Sequence, residues 1–182
     1  GAGLEQLISE EVARADRLIA DMLAFSRPLE LKPSTAFINP LVEECLDGRA
    51  LPAGVTLKKS LSKSKPQAVV DAAALVEALR RLLDNACDAM PQGGTLAVAT
   101  GLEGKSAFIE VRDGGGGIKA ADLPLIFEPF YTTKPRGLGL GLSFARKIAE
   151  AQGGRLEVKN SPSGALFTLF FPSLTPLSSK IN

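Results

Sequence analysis

The sequence predicts an α+β fold in which helices cover one face of a mixed or antiparallel sheet. Apolar residues recur at helical spacing near residues 4–25, 72–90 and 140–152, whereas shorter segments alternate apolar and polar residues. Helical and extended segments do not follow one another in strict alternation, which argues against a parallel sheet of βαβ units. A length of 182 residues fits one medium-sized domain with an additional segment.

The first segment is predicted to be one long amphipathic helix. Over residues 4–25, mostly apolar residues recur at alternating spacings of four and three and form a seam along one face of the helix. Flanking residues such as Leu7 widen this seam. Such a wide stripe suits a helix bundle, and the alternative is a helix that folds against its own domain. Pro28 ends this helix, because proline disfavours a helical conformation at the preceding residue. Residues 1–27 are thus a separate helical segment, followed by an extended linker over 28–40.

Residues 41–175 are predicted to form the domain itself, before a tail at 176–182. Residues 55–61 predict a strand, and four lysines lie in or near it: Lys58, Lys59, Lys63 and Lys65. Lysines on an edge strand discourage pairing with other chains. A nucleic-acid patch is the alternative, which we disfavour because no aromatic residues interleave with the lysines and the net charge is only +1.

The other elements of the domain follow from capping and turn residues. Asp71 can cap the helix at about 72–90, whose apolar side consists of Leu75, Leu79, Leu82, Leu83 and Ala86. A glycine pair after residue 152 stops the later helix. The extended segments predicted are a hairpin of 95–100 and 107–112 around 101–104, and an antiparallel pair of 155–159 and 166–171. A short helix is predicted over 41–46.

Composition excludes several classes of function. The chain has no histidine, which argues against zinc sites and Ser-His catalysis. No apolar run approaches the roughly 18 residues that a membrane span requires, so we expect no membrane insertion. Cys45 and Cys87 lack a CxxC pattern, which indicates reduced thiols in a cytoplasmic setting.

Three polar or glycine-rich segments carry chemistry that a nucleotide would need. Asn85 and Asp88 share a helix face with Arg81, and a neutral amide oxygen beside phosphates suits Mg²⁺. Asp113 stands at a strand end before four glycines, where its carboxylate could accept a hydrogen bond from an adenine amine. Residues 137–142, GLGLGL, open a helix whose free N–H groups could bind phosphates. The alternatives are a solvated helix face, a flexible turn and a glycine-rich helix start without a ligand.

An aromatic segment, FEPFYTTK at 127–134, lies between the two glycine loops. Lys134 is a compact cation suited to a terminal phosphate. We expect Phe127 and Phe130 to be partly core residues that anchor one side of a mobile lid.

Together these segments resemble the GHKL ATPase superfamily, which includes gyrase-type topoisomerases, a heat-shock chaperone, mismatch-repair ATPases and histidine kinases. DNACDAM resembles the asparagine box, DGGGGI the first glycine box, FEPFYTTK the phenylalanine box, and GLGLGL the second glycine box. The resemblance covers residues 68–172 and implies a two-layer Bergerat-type sandwich that binds ATP and Mg²⁺. The helix at 4–25 is similar to the second helix of a histidine kinase dimerisation and phosphotransfer domain, which favours the kinase branch.

The resemblance also implies roles for individual residues. Lys134 and Asn85 would be catalytic, with Asn85 binding Mg²⁺ and Asp113 contacting the adenine amine. The implied nucleotide-binding set is Asn85, Asp88, Asp113, Gly115, Gly117, Ile118, Phe130, Thr132, Lys134, Gly137, Leu138, Gly139, Leu140, Gly141 and Leu142. The sequence departs from the family pattern at three positions: Arg81 replaces an asparagine or a hydrolytic glutamate, Leu138 a small hydroxyl residue, and Ala165 a threonine.

The function implied is that of a sensor histidine kinase domain. It would donate the γ-phosphate of ATP to a histidine on dimerisation helices upstream of Leu4, in a protein that is a homodimer, and a response regulator receiver domain would accept the phosphate next. Two alternatives stay open: a degenerate module that only holds or senses nucleotide, and a GHKL ATP hydrolase.

Overall fold

The computed structural model describes residues 2–134, 137–161 and 164–174, so the predicted tail at 176–182 lies outside the described residues. The helices are α1 (Ala2–Ser26), α2 (Ile38–Leu46), α3 (Ala72–Asp88) and α4 (Gly141–Ala151). The strands are β1 (Ser34–Phe37), β2 (Val55–Ser60), β3 (Gln67–Val70), β4 (Gly94–Glu103), β5 (Ser106–Arg112), β6 (Arg155–Ser161) and β7 (Gly164–Pro172).

The strands form a mixed five-stranded sheet and a small two-stranded one. The large sheet has the order β2-β4-β5-β7-β6, in which β2 runs parallel to β4 and the other pairs are antiparallel. Strands β1 and β3 pair antiparallel beside it. Helices α3 and α4 pack against one face of the large sheet, so the predicted α+β two-layer architecture is confirmed. Strand β2 is an edge strand, as its lysines predicted.

The core lies between α3 and the sheet. Every predicted apolar residue of α3 is buried, and Leu75, Leu79 and Leu82 are completely so. They pack in one cluster with strand residues such as Ile109 and Leu169. Fully burying such a side chain contributes about 1.5–3 kcal/mol, so this row of leucines fixes α3 against the sheet. The predicted N-cap is also present: the N–H of Ala74 donates to Oδ1 of Asp71 at 2.9 Å.

The structure corrects the predicted hairpin and linker in detail. Strand β4 continues through Gly101, which the sequence placed in the turn, and Gly101 pairs with Phe108. A Cβ at Gly101 would lie 2.4 Å from the ring of Phe108, so glycine is present there because the ring covers the strand. Residues 28–40 contain β1 and the start of α2. Pro40 lies in the first turn of α2, where no backbone N–H is needed.

Helix α1 docks onto the domain by its C-terminal end only. The rings of Phe25 and Phe144 lie 6.3 Å apart, and Nζ of Lys147 donates to the carbonyl oxygens of Phe25 and Arg27 at 2.7 and 3.2 Å. Further toward the N-terminus the apolar stripe is open to solvent, with Leu4 65% exposed. In the described part of the chain, no helix combines the length and apolarity needed to cross a bilayer.

Candidate functional site

A cavity of about 650 Å³ opens between α3, the end of β5, the glycine-rich segments and the start of α4. All residues of the nucleotide-binding set implied by the sequence line it, except Phe130. The sequence segments that seemed separate along the chain therefore meet in one place. The cavity is large enough for a ligand of nucleotide size.

Asp113 lines this cavity and follows directly after the end of β5. Its side chain is only 4% exposed. The backbone N–H groups of Gly115 and Ala165 donate to Oδ1 at 2.9 and 3.2 Å, which fixes the orientation of the carboxylate. No hydrogen bond from a described residue to Oδ2 is present, so Oδ2 can accept one from a ligand.

Glycine is required where the loop after Asp113 passes the end of α3. A Cβ at Gly115 would lie 2.3 Å from the carbonyl oxygen of Ala89. The loop is also held from the opposite side by Asn160 at the end of β6. The Asn160 amide accepts a hydrogen bond from the N–H of Ile118 and donates one to its carbonyl oxygen. This wall of the cavity is therefore positioned by contacts from α3 and from β6.

Asn85, Asp88 and Lys134 also line the cavity, and they form a polar cluster. Nζ of Lys134 donates to Oδ1 of Asn85 at 2.9 Å and to Oδ2 of Asp88 at 3.0 Å. Asn85 and Asp88 are one turn apart on α3, so their oxygen atoms converge on a single cationic group. The cluster thus joins α3 to the aromatic segment across the cavity.

Arg81 extends the polar face of α3 by one more turn. Its Nη1 donates to Oδ1 of Asp21 on α1 at 2.7 Å, and its Nε to Oε1 of Glu77 at 2.8 Å. Its guanidinium carbon lies 5.4 Å from the ring centroid of Phe144. Burial opposes the charge, but the hydrogen bonds that Arg81 donates to Asp21 and Glu77 outweigh it and raise the pKa of Arg81, which stays cationic.

Several residues that line the cavity were not predicted from the sequence. Asp21 reaches it from α1, which the sequence placed in a helix bundle or, as the alternative, against its own domain, without naming a site residue in it. Tyr131 donates its hydroxyl proton to Oδ1 of Asp122 at 2.7 Å, and this bond raises the pKa of Tyr131. Asp84 forms an ion pair with Arg49. The partners of Asp21 and Asp84 lie 60 and 35 residues away along the chain, so these two side chains gave no local pattern in the sequence.

The two phenylalanines of the aromatic segment differ in role. Phe127 packs edge-on against Phe167 with 6.4 Å between ring centroids, so it is anchored in the core as predicted. Phe130 is 57% exposed and lies outside the cavity lining. Its backbone has φ of +67° and its N–H donates to the carbonyl oxygen of Gly139. Phe130 therefore contributes a backbone contact to this loop and no core anchor.

Comparison with known proteins identifies relatives of this fold and site. Residues 70–175 match the family described as histidine kinase-, DNA gyrase B- and HSP90-like ATPase. The sensor histidine kinase ZraS of Escherichia coli O157:H7 is 32% identical over 173 residues, which is 93% of this chain and 38% of that protein. Sporulation kinase C of Bacillus subtilis is 26% identical over 171 residues, 91% of this chain and 40% of that protein. The chain spans about two fifths of the length of these curated relatives.

Solved structures share the fold. The histidine kinase ThkA in complex with the response regulator protein TrrA superposes with a TM-score of 0.78 at 22% identity, over 93% of this chain and 50% of that chain. The mycobacterial sensor histidine kinase MprB gives a TM-score of 0.71 at 24% identity, over 80% of this chain and all of that one. The architecture described above is thus that of histidine kinase catalytic domains.

Proposed function

The chain belongs to the family of histidine kinase-, DNA gyrase B- and HSP90-like ATPases, and from that premise we propose that it is the ATP-binding catalytic domain of a sensor histidine kinase. The observation that carries this proposal is the convergence of Asp113, the Asn85–Asp88–Lys134 cluster and the glycine-rich start of α4 on one cavity. These groups match the three parts of a metal-bound nucleoside triphosphate: base, metal and phosphates.

The base end of the cavity favours adenine. Asp113 presents a carboxylate oxygen whose orientation is fixed by two backbone N–H groups. A carboxylate accepts hydrogen bonds only, so it suits the exocyclic amine of adenine and opposes the carbonyl oxygen of guanine at the same place. Selection of ATP over GTP follows from this single contact.

The donor set of the Asn85–Asp88–Lys134 cluster fits Mg²⁺. Asn85 and Asp88 supply an amide and a carboxylate oxygen, the hard ligands that Mg²⁺ prefers, and they already converge on the ammonium of Lys134. We assign Asn85 as the metal ligand. Asp88 would lie beside the metal and contact it either directly or through a water molecule. Mg²⁺ would neutralise charge on the phosphates during transfer.

The chain's own residues would position the phosphates. Helix α4 begins at Gly141, shortly after Gly137 and Gly139, so N–H groups at this helix start can donate to phosphate oxygens. When ATP binds, the ammonium group of Lys134 would leave Asn85 and Asp88 and bind the terminal phosphate instead. In the transfer, the bond from the terminal phosphorus to the bridging oxygen of ADP breaks and a bond to an imidazole nitrogen of a histidine forms. That histidine must lie outside this sequence, which has none.

The parent protein would use these groups in a two-component relay. We propose that the accepting histidine lies on dimerisation helices of a homodimeric cytoplasmic kinase module, and that a response regulator receiver domain takes the phosphoryl group next. ThkA in its complex with a response regulator supports this assignment by likeness of fold.

Phosphotransfer is favoured over ATP hydrolysis by the residue one helical turn before Asn85. A hydrolase needs a carboxylate positioned to activate water. By resemblance, the hydrolytic branches of the family have a glutamate at this position, where the present chain has Arg81. A guanidinium stays protonated and cannot act as the general base.

Calorimetric titration and a phosphotransfer assay test the proposal. The chain should bind ATP more tightly with Mg²⁺ than without it, and Lys134→Ala should reduce the preference for ATP over ADP. Mixed with a separately purified helix pair of the parent kinase that carries the histidine, it should transfer radiolabelled phosphate to that pair. Tight ATP binding without transfer would favour the degenerate nucleotide module, and steady ATP turnover without a partner would favour a hydrolase.

A further inference from the structure

The ion pair between Arg81 and Asp21 joins helix α1 to the wall of the cavity. Both residues line the cavity, and their side chains are 19% and 32% exposed, so water reaches the pair only in part. Other contacts of the end of α1 lie on α4, at Phe144 and Lys147. The Arg81–Asp21 pair is therefore the contact through which α1 meets the site itself.

Arg81 has contacts that would keep its side chain in place if one of its ion-pair partners were exchanged. Its Nε remains bonded to Glu77 within the same helix, and the ring of Phe144 lies under the guanidinium. Asp21, by contrast, belongs to another helix and binds only through Nη1. A guanidinium offers five donors in a planar fork, which suits phosphate oxygens as well as carboxylates. Loss of Asp21 would leave this fork oriented at the cavity wall.

Arg81 lies next to the cluster that would bind the phosphates. It precedes Asn85 by one helical turn on the same face of α3. A terminal phosphate near Asn85 and Lys134 would carry more negative charge than the single carboxylate of Asp21. The phosphate would therefore compete with Asp21 for Arg81.

We propose that Arg81 is a phosphate-binding residue and that Asp21 is its exchangeable counter-ion. The terminal phosphate of ATP takes Arg81 from Asp21, and the end of α1 is thereby loosened from the domain. ADP, which lacks that phosphate, leaves the ion pair intact. This inference rests on the proposed function, since it requires a nucleoside triphosphate in the cavity. By linkage, docking of α1 and binding of ATP then oppose each other by the same factor.

A double-mutant cycle on the full chain tests the exchange. Asp21→Asn should strengthen ATP binding by at least about fivefold, the lower end of typical coupling between sites, and should change ADP binding far less. Asp16→Asn is the matched control, because Asp16 is an exposed carboxylate of the same helix that lies outside the cavity lining. On an Arg81→Gln background, Asp21→Asn should have no effect on ATP affinity.

The ATP affinities of these variants distinguish three cases: the exchange proposed here, a simple repulsion between Asp21 and the phosphates, and failure of the proposed function. If Asp21→Asn strengthens ATP binding equally with and without Arg81, Asp21 only repels the phosphates and the exchange is wrong. If Asp21→Asn behaves as Asp16→Asn does while the unaltered chain binds ATP, the function stands and this inference alone fails. If the unaltered chain binds no ATP, both fail.

Hydrogen exchange provides a readout independent of affinity. Backbone amides of residues 18–27 should exchange faster with Mg-ATP than with Mg-ADP, because only ATP releases the end of α1. The difference should vanish in Arg81→Gln. Equal exchange with the two nucleotides in the unaltered chain would overturn the proposal, even if the affinities followed the expected order.

Discussion

Replacement of Asp113 by asparagine changes one atom in the part of the cavity that we propose to bind adenine. In the variant, the amide oxygen can accept from the N–H groups of Gly115 and Ala165 as Oδ1 does now. The amide nitrogen then replaces Oδ2 and directs N–H donors at the amine of adenine, which is itself a donor. The fold should be kept while the contact to the base is lost.

The magnitude follows from the burial of this carboxylate. Asp113 is 4% exposed, so water replaces the lost contact poorly. A hydrogen bond to a charged group contributes about 1.5–3 kcal/mol, which corresponds to a loss in affinity of about tenfold to over a hundredfold. Inosine triphosphate, which carries a carbonyl in place of the amine, should gain from the same change, because the new amide can donate to that oxygen.

Calorimetry with ATP and inosine triphosphate on both proteins measures the effect, with thermal unfolding as the control for the fold. The unaltered chain should prefer ATP, and the Asp113→Asn variant should lose or reverse that preference. A variant that binds both nucleotides as the unaltered chain does, at unchanged melting temperature, would show that Asp113 does not contact the base.

Two further predictions concern residues that hold the site and the fold in position. Asn160→Ala should weaken ATP binding about three- to tenfold by releasing the backbone of Ile118, whereas the neighbouring Lys159→Ala should not. Equal affinities of these two variants would mean that the loop is positioned without Asn160. Asp71→Ala should lower the free energy of unfolding by about 0.5–2 kcal/mol at neutral pH, because the N-cap of α3 is lost. Hydrogen bonds from the N–H groups of Ala74 and then Lys32 lower the pKa of Asp71. The contribution of Asp71 to stability is therefore full above the usual carboxyl pKa of about 3.9 and is lost as the pH falls through the lower pKa of the folded state. Melting temperatures of the variant and the unaltered chain that fail to converge in acid would contradict this.

The elements that the sequence predicted well are those ended by capping and breaking residues. Asp71 caps α3, and the glycines after Gln152 end α4, with φ of +72° at Gly153. The small sheet of β1 and β3 was not predicted, because each strand has four residues and outward-facing apolar residues such as Phe37 and Val69. Gly101 was misleading because glycine normally marks a turn, whereas here it makes room for Phe108.

The candidate site was predictable where its residues follow local rules and unpredictable where it depends on distant partners. Asp113 and the glycine segments were found because a strand end and a helix start are visible in the sequence. The pairing of Lys134 with Asn85 and Asp88 spans more than 45 residues and has no local signature. Asp21 was not predicted for the same reason, since only the docking of α1 brings it to Arg81.

Because α1 is docked near Phe25, the arms from this docked end to Asp21 and to Leu4 differ in length, and a movement of the helix displaces the two residues by different amounts. Phe25 lies at the docked end, Asp21 four residues from it and Leu4 twenty-one residues from it, so the two arms measure about 6 and about 31 Å at 1.5 Å per residue. A sideways movement of about 5 Å at Leu4 therefore moves Asp21 by only about 1 Å, if the helix pivots rigidly. Small displacements upstream would leave the ion pair at hydrogen-bonding distance, and only large ones would open it. The geometry of the helix thus sets a mechanical threshold between motion at the level of Leu4 and any response in the cavity that we propose to bind ATP.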